Sequence, residues 1–222
     1  MITANFIHRT FRIKCGESTG TGFTIDLENR QYLVTAKHVV RDFGPEQPLE
    51  VFANGAWTPV AAYLVGHGSE DIDVSVLAPH APMSPPNLPI EASSDGVVYG
   101  QDTYFLGFPY GVLSTVEFAG TGYPLPLVKK ALLSTFSGNV YLLDGHNNPG
   151  FSGGPVIFGR NQALPTNVAA VVSGYRFSPE PVFLDQAATA LTYRQNTGIV
   201  IAYKIELALE LVRENPIGAL VA

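Results

Sequence analysis

The segment NPGFSGGP, residues 148–155, places one serine among three glycines and two prolines. Much of the remaining chain is rich in β-branched and aromatic residues, which favour strands, so this segment interrupts the general pattern. A Gly/Pro stretch of this kind is either an ordinary loop or a backbone shaped to aim its N–H groups at a reacting atom. The choice depends on whether Ser152 has chemical partners elsewhere in the chain.

Short strand-like runs separated by turn residues make up most of the sequence on both sides of this segment. Asn54-Gly55, between two such runs, is the strongest signal for a two-residue hairpin. Many short strands at close spacing predict an all-β sandwich or barrels rather than a parallel sheet with intervening helices. The predicted strands are residues 21–27, 31–37, 49–53, 57–65, 73–77, 103–108, 140–144, 155–159, 167–175 and 198–203.

A single helix is predicted, at residues 204–215, where apolar side chains recur at helical spacing. A proline-heavy stretch, residues 78–96, favours extended backbone and is the expected joint inside one domain. It would separate a first group of strands, about residues 1–90, from a second group, about residues 91–203. The apolar residues of the predicted helix are Ile205, Ala208, Leu209 and Val212.

Composition excludes several classes of function. The formal net charge is −6 without a Lys/Arg cluster, so we expect no nucleic-acid partner. The amino terminus has no uninterrupted apolar segment behind a basic start, and no stretch approaches about 18 apolar residues, so we expect a soluble, cytoplasmic protein without a membrane partner. Cys15, the only cysteine, suits a reducing compartment and is expected to be a small buried hydrophobe. The histidines lack metal-binding spacing, so we expect no metal and no cofactor.

A serine becomes a nucleophile only when a base, normally histidine, accepts its proton and a third group orients that histidine. Among the five histidines, His38 directly follows an apolar predicted strand, at the point where the chain leaves a sheet. Asp73 begins an alternating run, Asp-Val-Ser-Val-Leu, and is preferred as the orienting carboxylate, with Asp71 as its competitor. The remaining histidines are His8, His67, His80 and His146.

These residues lie in segments that resemble the chymotrypsin-like serine peptidases, in particular the HtrA-like, trypsin-like peptidases without disulfides. The resemblance implies two perpendicular six-stranded β-barrels with the active site between them. It also implies His38 as general base, Asp73 as its orienting partner and Ser152 as nucleophile. The matching segments, in order, are GTGFTI (20–25), VTAKHVV (34–40), DIDVSVL (71–77), FLGFPYG (105–111), NPGFSGGP (148–155) and GIVIAYKIELALELV (198–212).

In this interpretation the N–H groups of Gly150 and Ser152 form the oxyanion hole, and the glycines allow the turn that exposes the serine. Two positions depart from the family pattern. Phe151 stands where digestive members carry an aspartate that pairs with a new amino terminus, so activation by that route is excluded and the support of the oxyanion loop is left open. Lys37 stands beside the base where a small residue is usual, with an effect the sequence does not reveal.

The resemblance also indicates a substrate pocket, walled by residues 171–175. His146 would lie near its base, and Ser173 and Tyr175 on one wall. A polar pocket of this kind favours Gln, Glu or another polar side chain at the cleaved residue. A solvated loop histidine is an equally good interpretation of His146.

Two functions therefore come from the sequence. The first is a serine endopeptidase that cleaves polypeptide substrates through Ser152, His38 and Asp73 by way of an acyl-enzyme. The alternative is a latent or non-cleaving protease-fold module for binding or scaffolding, activated by a protein partner. An intact triad argues against a permanent loss of activity but is compatible with latency.

Overall fold

The computed structural model describes residues 2–112, 114–118, 121–159 and 167–221. Within these ranges the chain forms two short α-helices and a series of β-strands. The helices are α1 (Ala4–His8) and α2 (Glu206–Glu214). The strands are β1 (Thr10–Cys15), β2 (Ser18–Leu27), β3 (Arg30–Thr35), β4 (Leu49–Ala53), β5 (Ala56–Val60), β6 (Ala62–His67), β7 (Ser75–Pro79), β8 (Glu91–Ala92), β9 (Asp102–Gly107), β10 (Ser114–Phe118), β11 (Thr121–Leu125), β12 (Leu127–Ser137), β13 (Val140–Asp144), β14 (Pro155–Phe158), β15 (Asn167–Leu184), β16 (Ala187–Lys204) and β17 (Ala219–Leu220).

The first sheet has the strand order β5-β4-β1-β2-β3-β7-β6, with β17 added beside β3. Asn54 and Gly55 have φ angles of 50° and 76°, which is the turn that the Asn-Gly signal predicts, so the predicted hairpin is confirmed. The single strand predicted at residues 57–65 is wrong. It is divided at Ala61 into β5 and β6, and these two strands pair with different neighbours.

The second sheet has the order β14-β9-β12-β13-β16-β15-β8, and β14 also pairs with β15. That extra pairing closes six of the strands into a ring, as the resemblance implies for a barrel. Strand β8 joins the outside of this ring in parallel with β15, and β10 with β11 forms a separate hairpin. The all-β fold with a carboxyl-terminal helix is confirmed.

Several elements escaped prediction. Strand β1 carries Phe11, Ile13 and Cys15 on alternate positions, all buried, so its period of two was available as a signal. Strands β10, β11 and β12 were also missed, and the outer halves of β15 and β16 extend well beyond the predicted runs. The expectation of a single helix is wrong as well, because five residues near the amino terminus form α1.

An apolar cluster joins the two sheets. It combines Val34 and Val76 of the first sheet with Leu106 and Val171 of the second. Helix α2 covers this cluster and buries Ala208, Leu209 and Val212, since burial of its apolar face supplies most of a short helix's stability. The packing brings the end of β3, the start of β7 and the middle of β15 together.

No helix in the described ranges is long and apolar enough to span a bilayer.

Candidate active site

His38 lies in a turn of 3₁₀ helix, Lys37–Val39, that directly follows strand β3. Its backbone N–H donates to Asp73 Oδ1 over 2.9 Å, and its ring Nδ1 lies 2.7 Å from Asp73 Oδ2. The backbone carbonyl of Asp71 accepts the hydroxyl of Tyr203 at 2.7 Å, and among the described residues the only carboxylate paired with His38 is that of Asp73. The structure therefore brings Asp73, and not Asp71, to the histidine.

The Asp73 side chain is only 20% exposed. Burial raises its pKa, but hydrogen bonds from His38 and Ser173 outweigh burial and leave the pKa below its ordinary value. Asp73 is therefore ionised at neutral pH and accepts from His38 Nδ1–H. This assignment of the proton, made from the hydrogen-bond network, leaves His38 Nε2 with a lone pair that can accept a proton.

Ser173, on strand β15, contacts both parts of the site. Its hydroxyl donates to Asp73 Oδ2 at 2.6 Å, and its backbone carbonyl accepts the hydroxyl of Ser152 at 3.0 Å. Within the described residues, Ser152 makes no hydrogen bond to His38. Long or unformed links between nucleophile and base are common in unliganded enzymes and tighten when substrate binds.

The backbone around Ser152 requires glycine on both sides. Gly150 has a φ angle of 105° and Gly153 of 84°. A Cβ atom would lie 2.4 Å from the Phe108 carbonyl at Gly150 and 2.0 Å from the Thr21 carbonyl at Gly153. Residues with side chains are therefore excluded at both positions. The resulting sharp turn presents the Ser152 side chain to the cleft.

Two hydrogen bonds orient the peptide groups of the oxyanion loop, residues 148–153. Tyr110 N–H donates to the Pro149 carbonyl at 3.1 Å, and Thr21 Oγ1 donates to the Gly150 carbonyl at 2.7 Å. In a trans peptide the N–H points opposite to the carbonyl, so the Gly150 N–H is directed away from Tyr110. In the part of the chain that the structure describes, the N–H groups of Gly150 and Ser152 have no acceptor, as an oxyanion hole requires.

Tyr110 itself has an unusual backbone. Its φ angle is 52°, a left-handed conformation that costs a non-glycine residue about 1–2 kcal/mol. Such outliers cluster at functional sites, where the surrounding structure maintains them. Here the residue in this conformation donates its N–H to the Pro149 carbonyl of the oxyanion loop. The sequence analysis used FLGFPYG only as a segment that resembles the family and missed this role of a backbone group.

Phe151 supports the oxyanion loop, which is the point that the sequence left open. The side chain is fully buried and packs edge-on against Phe105, with ring centroids 4.9 Å apart. Lys129 Nζ lies 5.5 Å from the centre of the Phe151 ring. The loop is thus anchored by an apolar side chain in the core of the second sheet, where digestive members of the family are expected to use an ion pair.

Lys129 also supports the segment before the nucleophile. Its Nζ donates to the His146 carbonyl and to Asn148 Oδ1, both at 2.6 Å. The His146 side chain is exposed, and among the described residues it makes no hydrogen bond to Ser173 or Tyr175. Tyr175 is half-buried on β15, and the Ser173 hydroxyl is engaged by Asp73. The three residues assigned to a pocket therefore do not contact one another through hydrogen bonds.

Lys37 holds the loop that leads to Asp73. Its Nζ donates to the carbonyls of Gly68, Ser69 and Glu70 at 3.1, 2.6 and 3.3 Å. The ammonium therefore ties the loop to the residue next to His38. The sequence left the effect of this lysine open, because its partners lie about 30 residues away.

The other candidate groups have structural roles. His67 Nδ1 lies 2.6 Å from Ser75 Oγ, and the His80 ring packs on Tyr63 with centroids 4.3 Å apart. Cys15 is buried, as expected, and burial raises its pKa. No cluster of three or more His, Cys, Asp or Glu side chains that could bind a metal occurs in the described ranges.

Two β-sheets meeting at a cleft that contains His38, Asp73 and Ser152 define the chymotrypsin-like class of fold. The sequence profile of the trypsin-like peptidase domain matches residues 20–164, more than half of the 222 residues. The chain therefore belongs to the trypsin-like peptidase family and is a serine protease. None of the curated proteins compared with the chain matches it.

Solved structures with the same fold include the protease Rv3671c from M. tuberculosis. Its active form matches with 20% identity and a TM-score of 0.62, covering 99% of this chain and 86% of the other. Its inactive form matches with 19% identity and a TM-score of 0.60, covering 96% and 92%. The HtrA-type protease AlgW with tripeptide gives 22% identity and a TM-score of 0.60, covering 95% of this chain and 61% of AlgW. Active and inactive forms match almost equally, so the likeness supports the fold alone.

Proposed function

We propose that the protein is a serine endopeptidase that acts through Ser152, His38 and Asp73. Ser152 Oγ attacks the peptide carbonyl while His38 Nε2 accepts its proton. His38 then gives that proton to the leaving amine, and a water molecule hydrolyses the acyl-enzyme by the same steps in reverse order. The carboxylate of Asp73 keeps the imidazole in the required tautomer and stabilises its protonated form.

One observation carries the proposal. Ser173 bonds Asp73 through its hydroxyl and Ser152 through its carbonyl, so the nucleophile and the His38–Asp73 pair meet at a single residue. For proton transfer, the Ser152 hydroxyl has to leave the Ser173 carbonyl and turn to His38. A substrate whose backbone N–H takes that carbonyl would release the hydroxyl.

The oxyanion loop supports the same reaction. As the carbonyl carbon becomes tetrahedral, its oxygen gains negative charge, and preorganised N–H donors in a water-poor site stabilise it. The N–H groups of Gly150 and Ser152, which have no acceptor among the described residues, are suited to this task, and each such donor contributes about 3–4 kcal/mol to transition-state stabilisation.

The family implies polypeptide substrates, and we propose a polar side chain such as Gln or Glu at the cleaved residue. The grounds are the three polar residues that the family resemblance assigns to the pocket, His146, Ser173 and Tyr175. A peptide-library profile dominated by Arg or by large apolar residues at that position would contradict this preference.

A second function, a latent protease-fold module that needs a partner, is favoured by the Ser152 hydroxyl bonding Ser173 and not His38. A fluorophosphonate probe separates the two functions, because the probe phosphonylates a serine only where base and oxyanion hole are assembled. We expect labelling of the wild-type protein at Ser152, located by mass spectrometry, and none in Ser152→Ala. His38→Ala should lose nearly all labelling while keeping its fold.

The outcomes are distinct. Folded wild-type protein that stays unlabelled would favour the latent module. Full labelling of His38→Ala would overturn the mechanism, since the proposed base would then be unnecessary.

A further inference from the structure

A cavity of about 330 Å³ lies against the oxyanion loop. Arg12, Thr19 and Gly20 of the first sheet line one side of it, and Tyr110, Pro149 and Gly150 line the other. Gly20 reaches Ser152 directly, since a Cβ at that position would lie 2.9 Å from the Ser152 carbonyl. The cavity therefore lies beside the backbone of the nucleophile and is also lined by a guanidinium group.

Arg12 is a fixed cation. Its guanidinium carbon lies 5.0 Å from the centre of the Phe52 ring and 4.9 Å from that of Trp57. On the remaining side it packs against the turn at Gly111, where a Cβ would come within 2.8 Å of a guanidinium nitrogen. A guanidinium held between aromatic rings and backbone is already ordered, so a ligand does not have to immobilise it.

Among the described residues, this cation has no counter-ion. Across the described residues, Arg12 makes no salt bridge and donates no hydrogen bond, whereas Lys14 on the same strand pairs with Glu50 at 3.0 Å. Burial lowers the Arg12 pKa, as expected for a partly desolvated cation. In a chain of net charge −6, an arginine that has no ion pair among the described residues and lines a cavity beside the oxyanion loop calls for an anionic ligand. The planar fork of a guanidinium fits a carboxylate best, through two parallel hydrogen bonds.

The position of the cavity identifies which part of a substrate reaches it. Ser152 lies between β15, through the Ser173 carbonyl, and β2, where Thr21 N–H donates to the Ser152 carbonyl at 2.8 Å. If the cleaved residue lies on the β15 wall, as the proposed function has it, the leaving half of the peptide lies over the cavity. A space of 330 Å³ is roughly 9 Å across, which is two to three residues of extended chain at about 3.3 Å each.

We propose that Arg12 forms a leaving-side subsite that selects a carboxylate within the first three residues after the cleaved bond. The inference rests on the proposed endopeptidase function. The carboxylate comes from an Asp or Glu side chain, or from the free carboxyl terminus of a substrate that ends there.

Peptide cleavage tests the subsite. Matched quenched peptides carry Glu or Gln at each of the three positions, and two further peptides end at the third position with a free carboxylate or an amide. We expect kcat/KM to favour Glu over Gln at least about tenfold at one position, consistent with a charge-assisted hydrogen bond. A terminal carboxylate favoured over the amide, with Glu and Gln equal, would identify the chain end as the source.

Arg12→Gln should bring the Glu/Gln ratio close to one. Lys14→Gln is the matched control, because it removes a cation from the same face, 5.7 Å from the same Trp57 ring, and should leave the ratio unchanged. Arg12→Lys should keep only part of the preference, since an ammonium lacks the bidentate fork. Equal rates on Glu and Gln peptides by the wild-type protein, with no preference for a terminal carboxylate, would overturn the subsite.

A binding measurement keeps the inference testable even if no peptide is cleaved. Trp57 is the only tryptophan, so its fluorescence reports directly on the Arg12 environment. In Ser152→Ala, a Trp-free peptide with Glu in its first three residues should change this fluorescence and bind at least about tenfold tighter than its Gln counterpart. Equal affinities would overturn the subsite, while absent labelling of wild-type Ser152 with selective binding would overturn only the proposed catalysis.

Discussion

Replacement of Phe151 by alanine should remove the buried side chain that anchors the oxyanion loop in the core of the second sheet. The ring is fully buried, and removal of a buried phenylalanine typically costs about 3–5 kcal/mol of unfolding free energy. Its edge-on contact with Phe105 at 4.9 Å accounts for roughly 0.5–1.5 kcal/mol of that loss. A domain of this size has about 5–15 kcal/mol of stability in total, so the variant should remain folded at 25 °C but unfold at clearly lower urea concentration.

A loss of stability alone does not test whether Phe151 anchors the oxyanion loop. A control variant is therefore needed that loses a similar free energy of unfolding elsewhere in the fold. Phe6 is 1% exposed and belongs to the apolar cluster that joins the sheets, so Phe6→Ala should lose a similar free energy of unfolding. Per folded molecule, we expect fluorophosphonate labelling of Phe151→Ala to be at least about tenfold slower than that of Phe6→Ala, since loss of one oxyanion donor slows catalysis about 10²–10³-fold.

Phe151→Leu separates volume from aromaticity. It keeps most of the apolar volume and should cost less than about 1.5 kcal/mol, with labelling close to that of the wild-type protein. Equal labelling rates for Phe151→Ala and Phe6→Ala would refute the reasoning, because the buried ring would then stabilise the fold without holding the loop. Urea unfolding followed by circular dichroism supplies the folded fractions for this comparison.

Three further outcomes are expected. Lys37→Met removes the ammonium that holds residues 68–70, so kcat should fall several-fold with KM little changed and Lys37→Arg should restore part of it; an unchanged kcat would count against this positioning role. Ser173→Ala should lose about 1–2 kcal/mol of unfolding free energy at pH 7. Because the folded pKa of Asp73 is lowered, this difference from the wild-type protein should be complete above about pH 4 and disappear as the pH falls through that lowered pKa. Urea titrations that give the same difference at pH 7 and below that pKa would disprove the link. The Cys15 thiol, whose pKa is raised by burial, should resist iodoacetamide in the native protein at neutral pH and react fully after unfolding, and rapid native alkylation would disagree with its burial.

Local pattern was sufficient to predict the class of fold and the principal candidates of the site. Alternating apolar residues mark strands because successive side chains of a strand point to opposite faces. The turn at Asn54-Gly55 depends only on which residues tolerate positive φ angles. His38 and Asp73 each lie where a strand begins or ends, and Ser152 lies in a turn that only glycines permit. Such features can be predicted from the sequence because residues close together in the chain determine them.

The sequence by itself could not assign the roles of groups that act across the fold. The bond from Ser173 to Asp73 joins residues 100 positions apart, and that from Thr21 to Gly150 joins residues 129 positions apart. The burial of Phe151, the hydrogen bonds from Lys37 to residues 68–70 and the lack of an ion pair for Arg12 among the described residues also depend on contacts between distant segments. Only the tertiary packing of segments that are distant in the sequence, within each sheet and between the two sheets, brings these groups within hydrogen-bonding or van der Waals distance, and no local pattern encodes that distance.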